Sequence, residues 1–188
     1  MSEKRGRLIV ISAPSGAGKD TVIDRLRKIH PGIILSVSAT TRAKRKGEVD
    51  GVSYYFVSRE EFSAMIERNE FLEHAEYVGE LYGTPIKPIE KHIGEGRDVI
   101  LEIEVQGARQ VIELEPNAMT IFIVPPDMVE LERRLRGRGT DTEETLKARL
   151  ERAQTEMEEK DCYAHVVVND EVERAAREIL SIIYDGDR

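Results

Sequence analysis

The stretch SAPSGAGKDT, residues 12–21, joins closely spaced glycines to a lysine and ends on short polar side chains. Such a loop can cradle an anion. Gly16 and Gly18 let the backbone turn tightly so that its N–H groups face inward, the helix that follows presents its positive end, and Lys19 supplies a mobile charge. Ala13, Pro14, Ser15 and Ala17 complete the loop. Against the pattern G-x-x-x-x-G-K-[ST], Ala13 stands where the first Gly belongs and Asp20 where a hydroxyl would hold Mg²⁺. Asp20 has two readings: a hard oxygen ligand for Mg²⁺ that also suits a helix start, or, without the metal, a charge that repels phosphate. Thr21 brings a hydroxyl one place later. A bare glycine loop can also be an ordinary turn, so its neighbours decide.

Those neighbours fit a phosphate site. Residues 8–12 (LIVIS) read as a buried strand, and 19–29 as a helix with Val22, Ile23, Leu26 and Ile29 at helical spacing. Residues 33–37, 99–103, 121–124 and, more weakly, 165–168 are further short apolar runs, each followed by polar or helical sequence. Strands alternating with helices predict a three-layer α/β/α core around a parallel sheet. Residues 38–88 differ: an aromatic strand at 54–57, a helix opened by a Ser58–Glu61 capping box, and strand-like pieces at 71–78 and 81–84 predict a mixed subdomain beside the sheet.

A second chemical cluster lies in that subdomain. Positions 42–46 hold four basic residues in five, beside hydroxyls and tyrosines. They suit a receptor for a small phosphorylated molecule, or equally an exposed basic loop. A third cluster, RRLRGRG, precedes a glycine-flanked polar segment that suits a mobile lid, with Arg149 on the next helix. His30, His74, His92 and His165 lack metal-ligand spacing.

Composition narrows the classes further. With 188 residues, 40% of them apolar, the chain can bury a core, and a net charge of −8 argues against coating nucleic acid or an anionic membrane. Cys162 is the single cysteine, so no internal disulfide is possible. No apolar run is long enough for a membrane span or signal peptide, so a cytoplasmic protein is expected.

Taken in order, SAPSGAGK, SVSATTR with RKGEVDGVSYYFV, EFLEHAEYVGELYGTP, LEIEVQGA, IFIVPP, RRLRGRGTDTEE and VVVND resemble a guanylate kinase over residues 7–184. The resemblance implies transfer of the γ-phosphate of ATP to GMP, with Mg²⁺ accompanying ATP and dGMP as a further candidate acceptor. It implies a P-loop kinase core at 1–37, 91–135 and 147–188, a GMP-binding subdomain at 38–90 and a mobile lid at 136–146. Ser38, Arg42, Arg45, Tyr54 and Tyr82 are then the receptor for the GMP phosphate, with Glu73 and Thr84 as guanine readers. Lys19, Arg42, Arg134, Arg138 and Arg149 are the catalytic cations, and Asn169 meets the adenine. The competing readings are an exposed strand position for Glu73 and a strand-end turn for Asn169. Glu102 and Glu104 stand where the family often carries Asp; they fit support for Mg²⁺ through water, from Glu102, and a contact near the guanine amine. Asp20 is expected to cap its helix and help hold the metal, with Thr21 as substitute.

The guanine assignment makes chemical sense on its own. A carboxylate at Glu73 can accept the N1–H and the exocyclic amine of guanine, whereas adenine has no N1–H and carries its amine elsewhere. A site built on such hydrogen bonds can discriminate by about 10⁴ or more. Two rivals remain at this point. Ribose bisphosphate kinases resemble the family and can carry Asp after the loop lysine, but have little use for Glu73 and Thr84. Scaffold modules with this fold bind phosphopeptides, but usually lose the GK loop and lid arginines present here.

Overall fold

A computed structural model describes residues 5–137 and 142–185. The elements run β1 (Leu8–Ser12), α1 (Lys19–Ile29), β2 (Ile34–Leu35), β3 (Ala39–Thr40), β4 (Tyr55–Phe56), α2 (Arg59–Glu67), β5 (Phe71–Tyr77), β6 (Glu80–Pro85) and α3 (Ile86–Gly94). They continue with β7 (Val99–Glu102), α4 (Val105–Leu114), β8 (Met119–Val124), α5 (Met128–Gly137), α6 (Glu143–Met157), β9 (His165–Val168) and α7 (Val172–Asp185). Five strands form a parallel sheet in the order β2-β7-β1-β8-β9, and four form a mixed sheet in the order β4-β3-β6-β5. The expected α/β architecture with a separate mixed sheet is what forms. No helix among the described residues is long and apolar enough to cross a membrane.

The short strands depart from the sequence reading. Residues 33–37 narrow to β2 and 54–57 to β4, each two residues long. β3 carries no alternation to announce it; it forms because Ala39 and Thr40 are paired on both sides, parallel to β4 and antiparallel to β6.

The described chain divides into two compact units. One comprises residues 5–9, 33–101 and 106–118. Its mixed sheet packs on α2 through Ala39, Phe62 and Phe71, with the Phe62 and Phe71 rings stacked 4.4 Å apart. Ser58 accepts from the Glu61 N–H at 3.1 Å, which is half of the predicted capping box. The other half is absent, because the Glu61 carboxylate accepts from Arg68 instead. The β5–β6 hairpin turns at Val78 and Gly79, with φ of 51° and 78°. Glycine takes such angles freely, whereas β-branched Val78 is strained there. The hairpin register sets Glu73 directly opposite Thr84.

The other unit comprises 10–32, 102–105, 119–137 and 142–185. Val22, Ile23 and Leu26 are buried on α1, which packs against α7, and Arg25 pairs with Glu173. A second apolar cluster, Leu131, Leu135, Leu146 and Ala153, joins α5 to α6.

Candidate functional site

The phosphate loop belongs to the second unit. The predicted strand, loop and helix form in order, with β1 leading through residues 13–18 into α1. Gly16 and Gly18 have φ of 91° and 89°, angles that disfavour any L side chain. Both positions are crowded as well: a Cβ on Gly18 would lie 2.6 Å from Asn169 Nδ2, and one on Gly16 2.6 Å from Leu135 Cδ2, so a neighbouring side chain would have to shift. Ala13, Pro14 and Ala17 are buried, and the Ala17 N–H bonds to the Pro14 carbonyl at 3.1 Å.

One expectation about Asp20 fails. The residue before α1 is Gly18, in the left-handed conformation and making no side-chain cap, so Asp20 sits inside the first turn and caps nothing. It remains favourable there through the positive end of the helix. Asp20 and Thr21 are both exposed.

Lys19 Nζ lies 3.2 Å from Glu102 Oε1. Burial pushes the Glu102 carboxyl above its ordinary range; Lys19 pulls it down, and the neighbouring charge of Asp20 pushes it up. Asp20, Glu102 and Lys19 therefore share one electrostatic cluster. Two hard carboxylates beside a phosphate loop fit Mg²⁺, which takes most of its other oxygens from phosphate and water. A full protein cage is not expected, and among the described residues no group of three or more His, Cys, Asp or Glu is arranged to hold a metal.

The arginines and Asn169 are tied to this loop. Arg134 donates to the Ala17 carbonyl at 3.1 Å, to the Asn169 carbonyl at 2.8 Å and to Glu130 at 2.7 Å. Asn169 is 2% exposed and donates its amide to the Ala17 carbonyl at 2.7 Å, while its Oδ1 is buried without a partner. Arg149 Nη2 reaches Ser15 Oγ at 3.2 Å. Arg138 and residues 138–141 of the expected lid lie outside the described residues. Arg133 and Arg136, which carry no expected role, pair with glutamates at the surface.

The sequence reading missed Glu156. Its carboxylate is buried on α6, accepts the Ser15 N–H at 2.9 Å through Oε2, and takes Arg152 at 2.7 Å through Oε1. Arg152 also reaches Glu104, which is otherwise exposed, at 3.4 Å. Glu102 and Glu104 thus both belong to the unit that holds the phosphate loop.

The first unit carries the basic cluster and the expected guanine readers. Arg42 grips Glu48 with both terminal nitrogens, at 2.7 and 3.1 Å, and lies over the Tyr54 ring, 5.4 Å from its centre. Glu48, and to a lesser extent the Tyr82 hydroxyl, holds Arg42 in its charged form. Glu48 was not foreseen. The Arg42 guanidinium and the Arg45 N–H lower its carboxyl to about 2. Tyr54 and Tyr82 meet edge to face at 6.1 Å. Ser38 is half-buried and accepts the Tyr55 N–H through its carbonyl, while the Arg45 side chain points to solvent. Arg42, Tyr54 and Tyr82 are thus brought together; Ser38 and Arg45 enter mainly through their backbones.

Glu73 is 7% exposed, which sets aside the reading of an outward strand residue. The Thr84 hydroxyl donates to its Oε1 at 2.5 Å. Burial pushes the Glu73 carboxyl above its ordinary range, and the bonds from Thr84 only partly oppose this. Among the described residues no cation pairs with it. A buried carboxylate with so little compensation is costly to the fold, and such groups concentrate where a ligand supplies the missing donors.

Comparison with known proteins agrees with this geometry. The guanylate kinase family model matches residues 5–185. A guanylate kinase of Halalkalibacterium halodurans is 54% identical over 97% of this chain and 90% of its own length. One from Synechococcus is 48% identical over 96% and 83%, respectively. The crystal structure of guanylate kinase from Anaplasma phagocytophilum superposes with a TM-score of 0.78 at 38% identity, covering 97% of this chain and 87% of that one. A match over residues 5–185, on a loop and a buried carboxylate–hydroxyl pair that both make chemical sense, leaves one conclusion: the chain belongs to the guanylate kinase family.

Proposed function

We propose that the protein transfers the γ-phosphoryl group of ATP to the phosphate of GMP, giving ADP and GDP. Family membership supports the reaction, and the only partly compensated Glu73 carboxylate, buried opposite Thr84, carries the choice of acceptor. Guanine N1–H and its exocyclic amine are the two donors that carboxylate lacks. As they bind Glu73, the single proton of the Thr84 hydroxyl is released to donate to guanine O6. Adenine offers neither the N1–H nor the O6.

Arg42, held against Glu48 and flanked by Tyr54 and Tyr82, is preset to receive the acceptor phosphate, with Ser38 and Arg45 as further partners. On the donor side Lys19 exchanges Glu102 for the outer phosphates of ATP, within the cradle of residues 13–18. Arg134, Arg138 and Arg149 add the positive charge that spreads over the moving phosphoryl group. Asn169 secures the loop through Ala17 and lies on the adenine side. Asp20 and Glu102, with Thr21 as substitute, would hold Mg²⁺, and Glu104 would lie towards the guanine amine. When bound, Mg²⁺ neutralises phosphate charge and orients the β- and γ-phosphates. No general base is needed, because a phosphate monoester with its second pKa near about 6 is already largely ionised at neutral pH. The reading places the enzyme in the cytoplasm, acting on ATP and GMP, with no nucleic acid or membrane partner.

Incubating the protein with ATP, Mg²⁺ and GMP, and separately with ribose bisphosphate as acceptor, tests this. GDP should appear together with ADP in the first mixture only. ADP formation that depends on ribose bisphosphate and not on GMP would sink the proposal.

A further inference from the structure

Glycine inside a helix is destabilising relative to alanine, yet α4 carries Gly107, buried, in its first turn. What a side chain would meet there gives the reason. A Cβ on Gly107 would lie 2.5 Å from Glu73 Oε2 and 3.1 Å from Cδ. The other oxygen of the same carboxylate is held by Thr84. One turn further along α4, the Gln110 amide clasps the β5 backbone beside Glu73. Its Oε1 accepts the His74 N–H at 3.2 Å and its Nε2 donates to the His74 carbonyl at 3.0 Å.

We propose that Gly107 is a specificity-determining residue: its missing side chain reserves the volume that the Glu73 carboxylate occupies. Gln110 is a positioning residue that holds α4 and β5 in the register that keeps this volume open. The inference rests on the reading of Glu73 as the guanine reader. The clash would fall on the far end of a flexible side chain, so in Gly107→Ala the carboxylate yields and the helix stays. Reaching ordinary contact requires Oε2 to retreat by close to about 1 Å, and a misplacement of that size costs on the order of 100-fold in rate. The fold is spared while recognition suffers.

The test compares wild type, Gly107→Ala, Gln110→Ala and Glu73→Gln by steady-state kinetics with GMP, AMP and ATP, together with thermal unfolding. Gly107→Ala should unfold at or slightly above the wild-type temperature and keep its KM for ATP within about twofold. Its kcat/KM for GMP should fall at least about tenfold, and the GMP-over-AMP ratio should fall with it. Gln110→Ala should raise the KM for GMP by a smaller factor, with ATP unaffected. If Gly107→Ala keeps its GMP efficiency while Glu73→Gln loses it, the inference is wrong and the guanine reading stands. An equal loss towards ATP and GMP, or a failure of Gly107→Ala to fold, also overturns it, since the carboxylate should give way first. If Glu73→Gln retains the full GMP preference, the guanine reading falls and takes the inference with it.

Discussion

At the scale of a residue, Glu73 shows what burying a carboxylate costs. Its folded carboxyl titrates above the ordinary value of 4.5 because burial penalises the charge. A raised folded pKa means the group's contribution to stability is complete below the unfolded value and is lost as pH rises through the folded one. Ionising Glu73 therefore burdens the empty fold, a cost that guanine would relieve under the proposed reading. Glu73→Gln should raise the unfolding temperature at pH 8 by about 2–4 °C, equivalent to roughly 1 kcal/mol. The gain should shrink as pH falls towards 4.5, because the raised pKa lets the folded wild type take up its proton before the unfolded chain does. Thermal unfolding at the two pH values checks this; a variant less stable at pH 8 would show that ionised Glu73 supports the empty fold. Glu48 has the opposite sign. Its carboxyl is held at about 2, so its contribution is present above 4.5 and fades as pH falls through the lower value.

At the scale of elements, α6 reaches the phosphate loop at Ser15. Arg149 reaches its hydroxyl, and seven positions later on the helix Glu156 takes its backbone N–H. Glu156 thereby holds both the loop and the helix that presents Arg149. Glu156→Ala leaves the half-buried Ser15 N–H without its acceptor and takes one partner from Arg152, a loss of about 1–3 kcal/mol in stability. Its effect on activity should appear as at least a tenfold lower kcat or higher KM for ATP, with the KM for GMP unchanged. Glu156→Gln, which keeps the acceptor oxygen, should recover most of the activity. Steady-state kinetics of both variants decide the matter; equal losses in Gln and Ala would mean that the charge, and not the bond to Ser15, is what counts.

Across the whole molecule, what could be read in the sequence follows from how local its cause is. The loop was legible because strand, glycine turn and amphipathic helix adjoin in sequence. Glu73 and Thr84 were legible through motifs that carry them, and a hairpin places them opposite each other. Glu156 was not, because its partner lies 141 residues away and no local pattern joins them. Gly107 reads as an ordinary helix-weakening glycine until Glu73 is seen against it. Asp20 was misread as a cap because the left-handed Gly18 takes the place before α1, a choice of backbone conformation with no side-chain signal. Two-residue strands such as β3 are fixed by their neighbours in the sheet, so periodicity cannot announce them.

Selection of guanine by the buried Glu73–Thr84 pair, as proposed, reduces to one ratio. Phosphoryl transfer from ATP should be followed with GMP and AMP as competing acceptors at pH 7.5 and saturating Mg²⁺. A site built on matched hydrogen bonds predicts kcat/KM for GMP about 10⁴-fold above that for AMP. Comparable values for the two nucleotides would contradict the account.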